Sequence, residues 1–188
     1  MNNQTKQQLT SSLAGTSETP PATGVAWVSD RSGEVTQSLR TTLADWLSGS
    51  LGVLGVGGEV RVAIVNDAEM AAAHHRYAGV TGTTDVLTFD LRRPDMDRPP
   101  EQGDGPQASP DRLDVDILIC IDEARRQSER RGHAVEHELL LYALHGVMHC
   151  LGHDDHDDAA YDRMHAEEDR VLEALGIGAV FSREERGP

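Results

Sequence analysis

The sequence predicts an α+β domain, a small mixed β-sheet covered by helices, with one helix buried at its centre. Three observations point there. Short runs rich in β-branched residues, at 59–65, 84–89 and 113–121, alternate with longer stretches whose apolar residues recur every three or four positions. The segment from Val135 to Leu151 carries Leu139, Leu140, Leu144, Val147, Met148 and Leu151, enough apolar surface for a central helix. The length of 188 residues suits one core with tails rather than two ample cores.

In chain order, residues 1–23 are rich in Ser, Thr, Gln and Asn and carry Pro20-Pro21, so a disordered arm is expected there. The domain is expected over 24–176 and a short tail over 177–188. Val25–Ser29 is a candidate strand. From Ser32 onward, Val35, Leu39, Leu43, Trp46 and Leu47 make one helical stripe, which the glycines at 52, 55, 57 and 58 should end. Glu59–Val65 alternates and then turns apolar, a strand, and Asn66-Asp67 caps a helix over Ala68–Tyr77 that Gly79 and Gly82 break. Thr84–Phe89 is a strand, and residues 92–112, with five prolines, form a long loop. Leu113–Ile121 is apolar enough at Ile117-Leu118-Ile119 to be central in the sheet. A helix follows from Asp122, Gly132 interrupts it, the central helix ends at Gly152, and a last helix runs from about Asp158 to Leu175. Its expected buried face is Tyr161, Met164, Val171 and Leu172.

Composition narrows the function. There are 17 Lys and Arg against 32 Asp and Glu, a net charge of −15, which argues against broad adhesion to polyanions or anionic membranes. All the cations but Lys6 are arginine, the side chain suited to two-point contacts with phosphate. No apolar run is long enough for a membrane span and no secretory signal is visible, so a cytoplasmic protein is expected. Cys120 and Cys150 form no CxxC pair, and reduced thiols are expected.

The chemistry concentrates in Leu144-His145-Gly146-Val147-Met148-His149-Cys150-Leu151-Gly152-His153-Asp154-Asp155-His156. His145 and His149 are one helical turn apart, so both imidazoles leave one face and can reach a single metal ion. Two histidines on so apolar a helix would be costly to bury without a partner. Gly152 can end the helix in a left-handed conformation and let the chain double back with a third donor, for which His153, Asp155 and His156 all qualify. Three protein ligands with a fourth position open is the pattern of catalytic zinc, one ion per chain. Gly146 stands where an HExxH protease keeps its general base, so peptide hydrolysis is disfavoured while phosphodiester chemistry through activated water or a Lewis-acidic metal remains available.

These residues resemble the YbeY endoribonuclease family, the bacterial rRNA maturation factors, whose signature is His-Gly-x-Leu-His-x-x-Gly-x-Asp-His. His145 to Asp155 matches it, with Met148 in place of Leu and Asp155 where the family has its third histidine. Thr84-Asp85-Val86-Leu87-Thr88-Phe89 is similar to the family's TDVLSF strand, and Asp116-Ile117-Leu118-Ile119-Cys120 to its GDIVIC strand, with Val115 for Gly. The resemblance covers roughly residues 59–170. Its register ranks Asp155 first as third ligand, then His156, then His153. It implies a single-strand-specific, zinc-dependent endoribonuclease acting on ribosomal RNA, in small-subunit 3′-end maturation and ribosome quality control, with RNA and the ribosome or its associated proteins as partners and no DNA.

The family's Tyr-Arg-Gly arginine is missing, since Ala78 lies between Tyr77 and Gly79, and Arg76 is the nearest substitute for a catalytic phosphate contact. Arg125 and Arg126, after the central strand, are RNA-binding candidates; otherwise they are helix-surface charges paired with Glu123 and Glu129. Two rival readings are a zinc hydrolase of other substrates such as peptides, and a ribosome-associated module with a structural metal.

Overall fold

The strands β1 (Gly24–Asp30), β2 (Gly57–Val65), β3 (Val86–Asp90) and β4 (Arg112–Cys120) form a single mixed sheet in the order β1-β2-β4-β3. β2 runs parallel to both β1 and β4, while β3 pairs antiparallel to β4, Thr88 lying opposite Ile117. The computed structural model describes residues 24–92 and 112–178. The arm expected at 1–23, nearly all of the loop expected at 92–112, and the tail from residue 179 lie outside them.

Alternation sets the sheet's two faces. Along β4, Leu113, Val115, Ile117 and Ile119 are buried and meet Val60, Val62 and Ile64 of β2. Against this face pack α1 (Gln37–Leu54), through Leu43, Leu47 and Leu51, and α4 (Val135–Cys150), through Leu139, Leu140 and Ala143. The other face carries Arg61, which holds Asp116 at 2.6 Å and Asp114 at 2.5 Å across the strands, and is covered at one end by α2 (Asp67–Ala78) through Met70. The helix α3 (Ile121–Arg131) follows β4 directly, and α5 (Asp158–Ala174) lies outside α4 through Met164, Val171 and Leu172.

The boundaries differ from the sequence reading in small, explicable ways. α1 continues through Gly49 and Gly52 and stops only where Gly55 turns left-handed, since burial of Leu51 outweighs the helix penalty of Gly52. Tyr161 is not part of the buried face of α5. It is 39% exposed, with its ring edge-on to His165 at 4.0 Å. Ala160 takes the buried place beside Met164.

α4 is the deepest helix, with ten buried residues among its sixteen. Gly146 lets it come so close to the sheet. A Cβ there would stand 2.5 Å from Thr88 Oγ1 and 3.3 Å from Ile117 Cδ1. The position that holds the glutamate of an HExxH helix is here pressed onto β3 and β4. No carboxylate fits beside the histidines from it.

Candidate metal centre

Two imidazoles emerge from the last turns of α4. His145 and His149 bring their Nε2 atoms to 3.1 Å, with the rings at 88°. The helix ends as its sequence requires: Gly152 takes φ +90°, its N–H donates to His149 O at 3.0 Å, and His153 N–H donates to Met148 O at 3.0 Å. That reversal carries Asp155 back to the histidines. Its Oδ2 lies 3.7 Å from His145 Nε2 and 4.0 Å from His149 Nε2.

Hydrogen bonds behind the rings fix which nitrogen is free. His145 Nδ1 donates to Glu168 Oε1 at 2.9 Å, and His149 Nδ1 donates to the backbone oxygen of His153 at 3.2 Å. With both Nδ1 atoms facing acceptors, both Nε2 atoms present lone pairs to each other and to a carboxylate. Such a convergence calls for a cation. A proton could serve the two nitrogens alone, but three donors around one point are what a metal ion requires. Zinc bonds of about 2.0–2.1 Å give tetrahedral edges of about 3.3 Å, near the spacing here. The donor set therefore fits a borderline-soft divalent ion.

Glu168, from α5, is wholly buried and bridges two imidazoles, for His165 Nδ1 donates to its Oε2 at 2.5 Å. Burial pushes its carboxyl up, yet the two histidine hydrogen bonds outweigh this and hold it below its ordinary value. The reverse holds at His145: burial lowers its pKa, and the Glu168 hydrogen bond and charge raise it by more. A carboxylate behind a ligating histidine fixes the ring and strengthens the donor. Sequence reasoning missed Glu168, which is 23 residues from His145 and looks like one more helix-surface acid. It also missed Arg92, placed in the expected loop. Arg92 ties Asp90 of β3 to Cys150 O at 2.5 Å, a cation at the C-terminal end of the histidine helix.

The other candidates lie elsewhere. His156 has a side chain 83% exposed and paired with Asp154, and His153 contributes its backbone oxygen. Arg126 is clamped on Asp67 by two 2.8 Å bonds and on Glu123 by another, and Arg125 pairs with Glu34. Thus of the expected acid partners Glu123 is engaged. Arg76 is exposed on the last turn of α2, its guanidinium 5.4 Å from the Tyr77 ring centre, and among the described residues it makes no ion pair. A second cluster, Asp67, Cys120 and Asp122, is already satisfied internally. Burial pushes the Cys120 thiol up, and it donates to Asp67, which Arg126 neutralises.

Comparison with known proteins gives the family. The family model described as Endoribonuclease YbeY matches residues 28–176. The chain belongs to the YbeY endoribonuclease family. It is 34% identical over 147 residues to the Endoribonuclease YbeY of Mycobacterium ulcerans, covering 78% of this chain and 80% of that one. With the Moorella thermoacetica protein of the same description it shares 34% over 145 residues, 76% of this chain and 90% of that one. A solution structure from Thermotoga maritima is similar with a TM-score of 0.45 and 18% identity, over 86% of this chain and 99% of that one, too distant a likeness to bear on function. Among the described residues no helix is long and apolar enough to cross a membrane.

Proposed function

We propose that the chain is a cytoplasmic, zinc-dependent endoribonuclease that cuts single-stranded ribosomal RNA, serving small-subunit 3′-end maturation and ribosome quality control. The observation that carries this reading is the convergence of His145, His149 and Asp155 on one point in a chain of an endoribonuclease family. His145, His149 and Asp155 would hold one zinc ion, with His156 and then His153 as alternates for the third place. Bound there, zinc supplies a Lewis acid for phosphoryl oxygen. Glu168 keeps the proton on His145 Nδ1 and the ring in plane, and His153 O does the same for His149. The side chains of His145, His149 and Asp155 are between 20% and 35% exposed, so a strand can reach them without unfolding.

Charge on the transferring phosphate needs a cation not already spent on carboxylates. Arg76 meets that condition, whereas Arg125 and Arg126 are each held by acids, which ranks them below Arg76 as RNA contacts. Gly146, pressed on the sheet, speaks against the peptidase alternative, because the usual general base has no room.

The test uses purified protein, one labelled RNA as a single strand and as a duplex, and casein. The single strand should be cut in preference, a chelator should stop cleavage and zinc restore it, and casein should survive. Equal cleavage of the duplex, or casein hydrolysis without RNA cleavage, overturns the reading.

A further inference from the structure

Between Glu69 and Asp85 the sequence contains no acid, in a chain where 32 of 188 residues are Asp or Glu. This stretch runs along α2 into the turn before β3 and carries His74, His75, Arg76 and Tyr77 near the end of the helix. From there Tyr77 reaches onto β3, where its ring meets that of Phe89 edge to face, with centres 5.0 Å apart. The Arg76 guanidinium stands 5.4 Å from the Tyr77 ring centre. Even with both contacts Tyr77 is 59% exposed, and Leu91, two residues past Phe89 on the same side of β3, is 44% exposed.

Folding gains little from a ring that keeps more than half of its surface in water. What the arrangement offers instead is an open π-face beside a cation, on a protein whose net charge is −15. The acids nearest Phe89 are already neutralised. Asp116, opposite it on β4, is held by Arg61 at 2.6 Å, and Asp90 is held by Arg92 at 2.6 Å. Arg76 makes no ion pair among the described residues. The shelf therefore complements a flat ring with a negative charge next to it, which is the chemistry of a nucleotide.

Its place in the fold joins it to the histidine helix. Phe89 and Thr88 point to opposite sides of β3, and Thr88 lies against Gly146, the neighbour of His145. Arg92 ties Asp90 to the backbone oxygen of Cys150, the neighbour of His149. Since β3 is the outermost strand of the sheet, the shelf and the histidines lie on the two sides of one strand edge.

We propose that Tyr77, Phe89 and Arg76 bind one nucleotide of a single-stranded RNA, its base stacked on Tyr77 and its phosphate on Arg76, while the strand passes the outer edge of β3 to the His145–His149–Asp155 centre. The proposal deepens the endoribonuclease reading and rests on it for the identity of the strand. Stacking also supplies a physical reason for strand selectivity, because a base within a duplex has both faces covered and cannot lie on a ring.

The test needs no cleavage. The 15N-labelled full chain is titrated in the presence of a chelator, so that no metal captures phosphate, with adenosine 5′-monophosphate, ribose 5-phosphate, and one short RNA as a single strand and as a duplex. The nucleotide should shift the amides of Arg76, Tyr77 and Phe89, with ribose 5-phosphate at least about fivefold weaker for want of a base. The single strand should shift the same amides at lower concentration, and more strongly than the duplex. Tyr77→Leu, an exposed change that keeps apolar bulk and removes the π-face, should weaken the nucleotide at least about fivefold, whereas Tyr77→Trp should keep it. Arg76→Ala should weaken nucleotide and ribose 5-phosphate alike. Equal binding of ribose 5-phosphate and the nucleotide, indifference to Tyr77→Leu, or shifts confined to other surfaces overturns the proposal, as does a response to the free nucleotide without one to the single strand. Single-strand binding on these amides together with no RNA cleavage once zinc is supplied would instead reject the endoribonuclease reading and leave the shelf standing.

Discussion

The buried carboxylate of Glu168 accepts the Nδ1 proton of His145 at 2.9 Å, so α5 controls the orientation of a ring carried by α4. Glu168→Gln keeps the volume and loses the charge. It should weaken zinc binding about 10- to 100-fold, read by competition with a chromogenic chelator, while the fold survives. An unchanged affinity would show that the Glu168 contact is only packing.

The donor geometry predicts about one zinc per purified chain. His145→Ala, His149→Ala and Asp155→Ala should each lose it, and His156→Ala should keep it because that side chain points into solvent. Elemental analysis and the absorption spectra of the cobalt-substituted variants decide. Perturbation by His156→Ala alone would displace Asp155 from the third place.

Arg76→Ala should lower the rate of single-strand cleavage at least about tenfold, roughly 1.4 kcal/mol of transition-state stabilisation, with little change in melting temperature. The exposed guanidinium contributes little to packing, so a loss of rate without a loss of fold isolates its role. A wild-type rate would turn attention to Arg125 and Arg126.

Gly146→Ala places a methyl group 2.5 Å from Thr88 Oγ1. Overpacking of this kind costs about 1–3 kcal/mol, against which a better helix former returns up to about 1 kcal/mol. Thr88→Ala should relieve the clash, so the double variant should be more stable than the two single losses predict, by about 1 kcal/mol in urea denaturation. Simple additivity would mean that α4 shifts rather than collides.

Asp67 titrates at about 2, held down chiefly by the Arg126 hydrogen bonds against a smaller opposing effect of burial. A depressed carboxyl contributes stability that is complete above its unfolded value near 4 and disappears as pH falls through the folded value. The stability gap between wild type and Asp67→Asn should hold steady above about pH 4 and close towards pH 2. A gap independent of pH across that window argues that the carboxylate charge is irrelevant there.

Much of the fold was legible because alternation and helical spacing are local signals. The run at Ile117–Ile119 marked a central strand, and β4 does lie between β2 and β3. Asn66 was readable as a cap, and its side chain accepts from Glu69 N. The pairing of His145 with His149 likewise depended on one helix, and the expectation of a third donor on one glycine turn, whereas only the family resemblance put Asp155 before His156 and His153. What stayed hidden involves partners far apart in sequence. Glu168 behind His145, Arg92 on Cys150 O and Thr88 under Gly146 leave no periodic trace, because each is created only when one element docks on another. Arg126 shows the same limit: it reads as an available cation until Asp67, 59 residues away, is seen to hold it.

The turn at Gly152 returns Asp155 to histidines only ten and six residues behind it, whereas Glu168 reaches the same place only after α5 has docked. In folding terms the donor trio has low contact order and its support does not. A nascent chain can gather the three donors soon after α4 and its turn form, before the final helix has been added. Capture and tuning of an ion held by these donors would thus be separable steps in the life of the polypeptide. Truncation before residue 158 should leave a chain that still binds zinc, but loosely, and hydrogen exchange with and without the ion should show protection spreading from the end of α4 into α5 only in the full-length protein. Tight binding by the truncated chain would place the whole of the site's strength in that one short turn.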